Sequence, residues 1–574
     1  MAVSSEVGVQ SAVHSLEQGR LAPIIKGAMI AALIIVLTLL YLFVQFRGFA
    51  TVTAMDQAQI ARNIASGKGF STRFIRPLAV WQLENAGKDI PTDNFPDFYQ
   101  APLGPFVNAL PLSLVKSSWK MTPTDLVYAG DRAIAAFSVL CFLLSVAVWY
   151  FVGAGLFDSK LSLIACAIIL MTDMMWQFSL SGLPQMLMLL LFSGAVWLTL
   201  FAMRRRYELV PVILSLFGAG LLFGLMTLAH GLAAWIFLGW LVFALVYFQP
   251  RGLAALAALA ALLMVTLPWM VRNYSVCGNP LGLSVYAALV SNVSPEDGYL
   301  RSLDAAPAIG GAYIVNKIKT GAFDQVGGLF AFLGMNLAAG AFFLALLHPF
   351  RSPVVSAFRW CIVLMWAAAV VGMGAFGVVG VISSNQMHML FLPLFIFFGL
   401  AFLMVLWSRW EFGSPLVRIL FLSGLVFLCS LPMLSRLLSS QGAAIQWPPY
   451  IPPFIAILGD WFGEKEVIAS DMPWAVAWYA QRKSVLLPES VKAFNRLNDY
   501  RTLGASISGL YLTPLTGNRA LFSDIYKGSF KEWALLITRP PRVDGFALPF
   551  YTALPIEGEC IIFSDRDRWS APQE

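Results

Sequence analysis

Long uninterrupted apolar segments recur along this sequence and constrain its fold more than any other feature. A helix that crosses a bilayer needs roughly 20 apolar residues, and we identify eleven segments of about this length. In chain order they span residues 26–46, 131–154, 160–177, 183–203, 209–229, 232–248, 252–271, 326–347, 359–381, 387–407 and 418–435. Charged residues make up only 12% of the chain, about half of the roughly 25% found in soluble domains. The sequence therefore predicts a polytopic membrane protein.

Helices are the expected form of these segments. Within a bilayer every backbone polar group must find a partner inside the protein, and a membrane β-barrel would instead show short alternating strands. The segments are continuous rather than alternating. We therefore expect an α-helical transmembrane domain over residues 1–435, interrupted by large loops at 47–130 and 272–325, and followed by a tail over 436–574.

Basic residues in the short loops predict the orientation. The loops that follow even-numbered segments contain Lys160, Arg251, Arg409 and the run Arg204–Arg206, whereas the turns on the other side, SGLP, HG and SSNQ, contain no Lys or Arg. Cytoplasmic loops are enriched in these residues, so we expect a cytoplasmic N-terminus in a bacterial inner membrane. Both large loops and the tail then lie in the periplasm. The net charge of +7 is attributed to such anchors and to anionic lipid rather than to nucleic acid.

The tail differs from the rest of the chain in its pattern. EKEVIASD, KSVLLPES, ALLIT and CIIFSD are typical of short strands, whereas PWAVAWYAQR and SVKAFNRLNDYRTLG are typical of helices. We therefore expect a small α/β domain over residues 436–574 on the outer face.

The first large loop opens with a polar helix. Residues 54–66 form a helical pattern that stops at Gly67, a residue suited to a helix C-terminus. The spacing i, i+3, i+7, i+10 places four polar residues on one face: Asp56, Gln59, Asn63 and Ser66. We expect this amphipathic helix to lie at the membrane–water interface. Two interpretations of Asp56 stay open: an acid that favours the helix dipole, or a general base.

Further polar groups follow in the same loop. Lys68, Arg73 and Arg76 are either solvated residues near lipid headgroups or a clamp for phosphate, which arginine binds in a bidentate manner. The segment 94–114 carries Asp97, Tyr99 and Gln100 just before an apolar run and predicts a second interfacial helix.

In this order the motifs resemble the GT-C class of membrane glycosyltransferases, which includes protein O-mannosyltransferases and aminoarabinose–lipid A transferases. The similar segments are ARNIASGKGF at 61–70, YQAPLGPF at 99–106, LPWMVRNYSVCGNPLG at 267–282 and SDMPWAVAWYAQRKSVLLP at 470–488. The sequence departs from the class at Gln100, where the usual residue is lysine.

The resemblance implies an enzyme that transfers a hexosyl or pentosyl group, with inversion, from a polyprenyl-phosphate donor to a hydroxyl on the outer face. It implies Asp56 as the base, with Asp97 as the alternative. The implied ligands of the donor phosphate are Lys68, Arg73, Arg76 and Arg272. The implied contacts to substrate are Tyr99, Gln100, His388 and Trp474.

Several properties stay open at this level. The acceptor can be a glycan, a lipid or a protein. Some relatives use an Asp-x-Asp pair for a divalent metal, but the close match here, at 565–567, is typical of solvated surface, and the sequence does not support a metal site or another cofactor. The alternative function is a transporter or flippase for a lipid-linked saccharide. Transport favours ionisable residues at mid-span depth, whereas the polar motifs of this chain cluster at the outer face.

Overall fold

A computed structural model describes residues 21–91, 93–122, 124–289, 298–303, 311–409, 414–439, 450–499, 503, 505–517, 531–538 and 546–570. In chain order, helices α1 to α12 are Leu21–Leu39, Val52–Ala65, Pro77–Asn85, Leu103–Leu114, Ala129–Leu156, Ser159–Leu170, Asp173–Leu180, Gln185–Arg204, Leu209–Ala229, Ala233–Tyr247, Arg251–Cys277 and Ser284–Leu289. Helices α13 to α24 are Gly311–Gly327, Leu329–Phe332, Leu337–Ala345, Pro353–Phe376, His388–Arg409, Pro415–Leu438, Pro452–Ala456, Leu458–Trp461, Pro473–Ala475, Val491–Asp499, Pro514–Gly517 and Ala534–Thr538. The π-helical segments Leu40–Gln45 and Val476–Ala480 extend α1 and α21.

The long apolar helices agree with a multi-pass membrane protein. Within the described ranges, eight helices are long and apolar enough to cross a membrane, namely α1 with its extension, α5, α8, α9, α11, α16, α17 and α18. The pair α6 and α7, bent by 57°, makes a ninth if it forms one span. The expected helical character is therefore confirmed, and eight or nine of the eleven predicted spans are supported.

Two predicted spans are shorter than expected. Helix α10 covers 15 residues within the predicted segment 232–248. The predicted segment 326–347 is divided between α14 and α15 because Gly334 and Met335 adopt positive φ angles of 65° and 55°. The Asn336 side chain then accepts a hydrogen bond from the Ala339 N–H at 3.1 Å and caps α15. Each helix is thus shorter than the roughly 20 residues that a span needs.

One six-stranded sheet joins the first large loop to the tail. The strands are β1 (Phe74–Ile75), β2 (Val467–Ser470), β3 (Lys483–Leu486), β4 (Ile507–Leu512), β5 (Phe550–Thr552) and β6 (Ile561–Ser564). Their order is β1-β3-β2-β4-β6-β5, with parallel pairing from β1 to β4 and antiparallel pairing of β6 with both neighbours. Because β1 pairs with β3, the tail fixes the part of the loop that leads into Arg76.

Most local predictions agree with these elements. The predicted helix 54–66 is α2, and Gly67 follows its end with φ at 76°. Strands β2, β3 and β6 occupy three of the four predicted strand segments. The prediction for ALLIT is wrong because this segment forms helix α24, and a short apolar run cannot distinguish the two structures by its periodicity. The domain boundary at 435 stays a prediction.

Candidate active site

Helix α2 positions the polar face that its spacing predicts. The side chain of Asp56 is 0% exposed, and those of Gln59 and Asn63 on the same face are also buried. Helix α2 lies against α4 and against the tail segment that contains α21. The loop and the tail thus enclose the polar face of α2 from Asp56 to Asn63, whereas Ser66 at its end is exposed.

Arg76 lies between two buried carboxylates. Its Nη2 atom pairs with Asp56, and its Nη1 atom lies 3.2 Å from Asp97 Oδ2. The guanidinium carbon is 4.0 Å from the ring centroid of Phe74 and 4.1 Å from that of Tyr99. These contacts fix the plane of the guanidinium group. We refer to Asp56, Arg76 and Asp97 as the carboxylate–arginine cluster.

Two glutamine side chains complete the surroundings of Asp56. Gln100 Nε2 donates to Asp56 Oδ2 at 2.6 Å, and Gln59 Nε2 donates to Asp56 Oδ1 at 3.2 Å. Gln59 is itself held by Thr72 Oγ1 at 2.6 Å and by the Arg73 N–H at 2.9 Å. The two oxygens of Asp56 therefore face different sides, Oδ2 toward Arg76 and Oδ1 toward Gln59 and Thr72.

Asp97 is positioned by the backbone that follows it. Its Oδ1 atom accepts hydrogen bonds from the N–H groups of Tyr99 at 3.0 Å and Gln100 at 2.7 Å. Burial and the nearby Asp56 raise the pKa of Asp97, against the opposing effects of Arg76 and these two N–H groups. Asp97 consequently holds a proton more readily than an aspartate in water.

Arg272 reaches the cluster from the end of α11. Its Nη1 atom donates to the main-chain carbonyl of Asp97 and, at 3.0 Å, to Asn273 Oδ1, while Nη2 donates to the Phe70 carbonyl at 3.4 Å. The guanidinium carbon lies 4.7 Å from the ring centroid of Trp269. Arg76 and Arg272 are two of the four predicted phosphate ligands. They contact different groups of Asp97, its side chain and its main-chain carbonyl.

The other two predicted phosphate ligands lie elsewhere. Arg73 donates to the main-chain carbonyl of Gln481 in the tail, and burial lowers the pKa of Arg73 to about 10. Lys68 is exposed. Both residues line a cavity of about 140 Å³ between the first loop and the tail, together with Thr72 and Lys483. The structure thus separates the four predicted cations into two pairs.

The predicted substrate contacts are also separated. Tyr99 and Gln100 belong to the surroundings of the cluster. His388 is fully buried at the start of α17, where it accepts a hydrogen bond from Trp366 at 3.0 Å and lies 3.2 Å from Gln325. Trp474 is 1% exposed and donates to a tyrosine hydroxyl, at position 450, at 2.7 Å. A role in substrate binding stays a prediction for both.

A second buried network, which the sequence did not predict, connects α2 to the tail. Arg62 donates to the main-chain carbonyls of Ala477 and Trp478, both at 2.7 Å. Asp131, at the start of α5, accepts from Trp478 Nε1 at 2.6 Å and from the Tyr479 hydroxyl at 2.9 Å. Arg62 and Trp478 lie in motifs that the sequence shows, but Trp478 follows Asp131 by 347 positions, and no local pattern indicates their contact.

Gly282 provides a test of how the second large loop supports Asp97. Its φ is 60°, and an added Cβ would lie 2.0 Å from the carbonyl oxygen of Phe98. We expect Gly282→Ala to lower the free energy of unfolding by about 1–3 kcal/mol, since the backbone beside Asp97 must shift. Thermal and denaturant unfolding of the purified protein measure this loss.

Gly278→Ala is the matched control. Its φ is 73°, but the added Cβ would lie 3.4 Å from the nearest atom, the Cβ of Ala86. This variant carries the strain of a positive φ without the clash, so we expect the smaller loss. Equal losses in the two variants would contradict the importance of the close approach to Phe98.

Comparison with known proteins finds solved structures with a similar fold but no similar sequence. No protein-family model and no curated protein sequence matches the chain. The solved structure of ArnT from Cupriavidus metallidurans bound to undecaprenyl phosphate is similar, with a TM-score of 0.52 and 12% identity over 95% of this chain and 99% of that chain. The archaeal oligosaccharyltransferase AglB from Archaeoglobus fulgidus, in complex with an inhibitory peptide and a dolichol-phosphate, has a TM-score of 0.52 and 12% identity over 95% and 74% of the two chains.

A second structure of the Archaeoglobus fulgidus oligosaccharyltransferase, in complex with Zn and sulfate, has a TM-score of 0.52 and 12% identity over 88% of this chain and 70% of that chain. At this level of identity the similarity establishes the fold, whereas the reaction has to be argued from the site. The chain therefore has the fold of the GT-C glycosyltransferases ArnT and AglB, as its motifs indicated.

Proposed function

We propose that this protein is a membrane glycosyltransferase that moves a sugar from a polyprenyl-phosphate donor to an acceptor hydroxyl on the periplasmic face. The observation that carries the proposal is the buried carboxylate–arginine cluster, which combines an acid and fixed cations. Its setting in a fold shared with proteins solved with undecaprenyl phosphate and dolichol-phosphate supports the class of donor.

Asp56 acts as the general base in this proposal. As the acceptor oxygen attacks the anomeric carbon, Asp56 takes the hydroxyl proton, and the bond between that carbon and the phosphate oxygen breaks. The polyprenyl phosphate leaves with the bonding electrons, so a single displacement inverts the configuration. Asp56 suits this role because Arg76 and Gln100 hold its Oδ2, which leaves Oδ1 to receive the proton once Gln59 yields its place.

Arg272 stabilises the departing phosphate. Fixed cations directed at the charge that develops on a leaving group lower the barrier to its departure. The hydrogen-bond partners of Arg272 described above are neutral carbonyl and amide oxygens. Arg76, in contrast, pairs with two carboxylates. A phosphate therefore gains more from Arg272, which lies at the end of a spanning helix where the lipid chain can stay in the bilayer.

Substitution of Arg272 tests this role. We expect Arg272→Gln to lower kcat/KM for the donor by roughly 10- to 100-fold, with the loss mainly in kcat, because a hydrogen bond to a charged group contributes about 1.5–3 kcal/mol. Steady-state kinetics with varied donor measures the change. Arg272→Lys keeps the charge and should recover part of the loss, whereas an unchanged kcat/KM for the donor in both variants would contradict the assignment.

The proposed activity itself requires a direct assay. Purified protein in nanodiscs is incubated with a panel of radiolabelled undecaprenyl-phosphate hexoses and pentoses and with cell-envelope extract as acceptor. We expect transfer of label from at least one donor to the extract. Movement of a lipid-linked saccharide across proteoliposomes without a new glycosidic bond would instead support the transporter alternative, and the absence of turnover with every donor would contradict the enzyme.

The proposed orientation has a separate test. Alkaline phosphatase or green fluorescent protein is fused after the last residue of the chain and expressed in bacteria. A periplasmic tail activates the phosphatase and leaves the fluorescent protein dark. The opposite pattern would contradict the orientation that the basic loops predict.

A further inference from the structure

The cavity between the first loop and the tail is not used by the steps proposed above. Its lining contains four cations and two carboxylates: Lys68, Arg73, Lys465, Lys483, Asp93 and Glu464. The balance of these side chains is positive. We call this site the loop–tail cavity.

The cations of the loop–tail cavity come from both of its walls. Lys68 belongs to the loop and Lys465 to the tail, and both side chains are exposed. Lys483 lies deeper and pairs with Asp93 at 2.7 Å. Lys68 and Lys465 also act electrostatically on the Asp93 carboxylate, so three lysines from the two walls surround one carboxylate. The excess of positive charge favours an added phosphate or carboxylate.

Hydrogen bonds connect the lining of the loop–tail cavity to the proposed base, Asp56. Thr72 lines the cavity and accepts a hydrogen bond from Gln59, which in turn donates to Asp56 Oδ1. Asn63, on the same face of α2 as Asp56, lines the cavity too. Asp56 and Gln59 are fully buried and do not line the cavity. Thr72 and Gln59 thus separate the cavity from Asp56 on its Oδ1 side, whereas Arg76 occupies the Oδ2 side.

We propose that the loop–tail cavity binds an acidic acceptor saccharide, whose phosphate or carboxylate group lies between Lys68 and Lys465. The saccharide then directs one hydroxyl to Asp56 Oδ1 in place of the Gln59 amide. This inference rests on the proposed function and specifies the chemical class of its acceptor. It also assigns Lys68 to the acceptor rather than to the donor phosphate.

Binding without any donor tests the inference independently of catalysis. Glucose 6-phosphate, glucuronate and glucose serve as probes, titrated by calorimetry into the full-length protein in neutral-lipid nanodiscs. We expect both acidic sugars to bind and glucose to bind at least tenfold more weakly. Equal binding of the three sugars, or no binding of the acidic sugars, would overturn the inference.

Charge-reversal variants locate the binding. The double variant Lys68→Glu and Lys465→Glu should weaken the binding of glucose 6-phosphate at least tenfold. Lys492→Glu, at an exposed residue of the tail, should leave this affinity unchanged. The neutral double variant Lys68→Gln and Lys465→Gln should weaken this binding to an intermediate degree. It serves as a control in case the charge-reversed variant does not fold. Unchanged affinity in both double variants would place the binding elsewhere and overturn the inference.

Competition distinguishes a saccharide from simpler anions. Inorganic phosphate and nanodiscs that contain phosphatidylglycerol are added to the same titration. If either abolishes the calorimetric signal of glucose 6-phosphate at concentrations similar to those at which the sugar phosphate binds, the cavity recognises a free anion or a lipid headgroup, and the inference fails. Acidic-sugar binding without transfer from any donor would contradict the proposed function alone, whereas transfer without such binding would contradict this inference alone.

Discussion

Replacing Asp56 with asparagine should reduce the rate of sugar transfer by roughly 10²- to 10⁴-fold, the contribution of a positioned general base. Asparagine keeps the shape of the side chain and can still contact Gln100, but it cannot take the acceptor proton. The loss should appear in kcat, since the amide leaves the binding of donor and acceptor largely intact. Single-turnover measurements with saturating donor isolate this step.

Asp97→Asn is the matched control, because Asp97 also contacts Arg76 and is also buried. If Asp97 only positions Arg76 and the following turn, its replacement should lower the rate much less than that of Asp56. A larger loss in Asp97→Asn would reverse the two assignments. Activity equal to wild type in Asp56→Asn would exclude Asp56 as the base.

Replacing Arg76 with methionine should destabilise the protein by about 3–5 kcal/mol, because it leaves buried carboxylates without their partner. Arg76 is 3% exposed and pairs with both Asp56 and Asp97. Transfer should be lost together with stability, since the two acids repel each other and move apart. The unfolding midpoint in denaturant measures the first effect, and the transfer assay measures the second.

The Arg76→Met variant should also acquire a distinct dependence on pH. The pKa of Asp97 is already raised above its ordinary value near 3.8, and Arg76 is the largest effect that opposes this rise. In the variant the pKa rises further, so the folded state loses stability as pH increases through this raised value. The variant should therefore regain part of its stability when the pH is lowered toward 4.

Arg482→Met provides the comparison for both effects. Its guanidinium donates to the main-chain carbonyls of Gly459 and Phe462, so its removal leaves no carboxylate of the cluster unpaired. We expect a smaller loss of stability without recovery at acidic pH. If Arg482→Met regained stability at acidic pH to the same extent as Arg76→Met, the attribution of this recovery to protonation of Asp97 would be contradicted.

The sequence predicted the residues of the cluster better than their arrangement. Helical spacing correctly placed Asp56 on a polar face that ends at Gly67. The sequence does not indicate the two-residue strand β1, and this strand determines the directions in which the basic residues on either side of it point. Arg73 and Arg76 flank Phe74 and Ile75, and in an extended chain residues three apart point to opposite faces. One arginine thus reaches the loop–tail cavity and the other the carboxylates.

Long-range pairing explains the remaining differences. The contacts of Arg62 with the tail and of Arg272 with Asp97 join segments that no local pattern relates. The same applies to the burial of Trp474 and His388, whose aromatic character is compatible with either a core or a binding surface. Span prediction was limited instead by length, because α10 and α15 are apolar but shorter than a bilayer requires.

The pairing of β1 with β3 also determines when the site can form during biosynthesis. Arg73 contacts Gln481, which lies 408 positions later in the chain, so the first loop is synthesised before the strand that holds it. The contacts of Arg76 with Asp56 and Asp97 lie within this loop, whereas the pairing of the preceding strand β1 requires that β3 has been synthesised. A chain released before β3 is synthesised would contain the spanning helices and the residues of the cluster but not the strand that holds β1. The tail must therefore be synthesised through β3 before the structure around the site is complete.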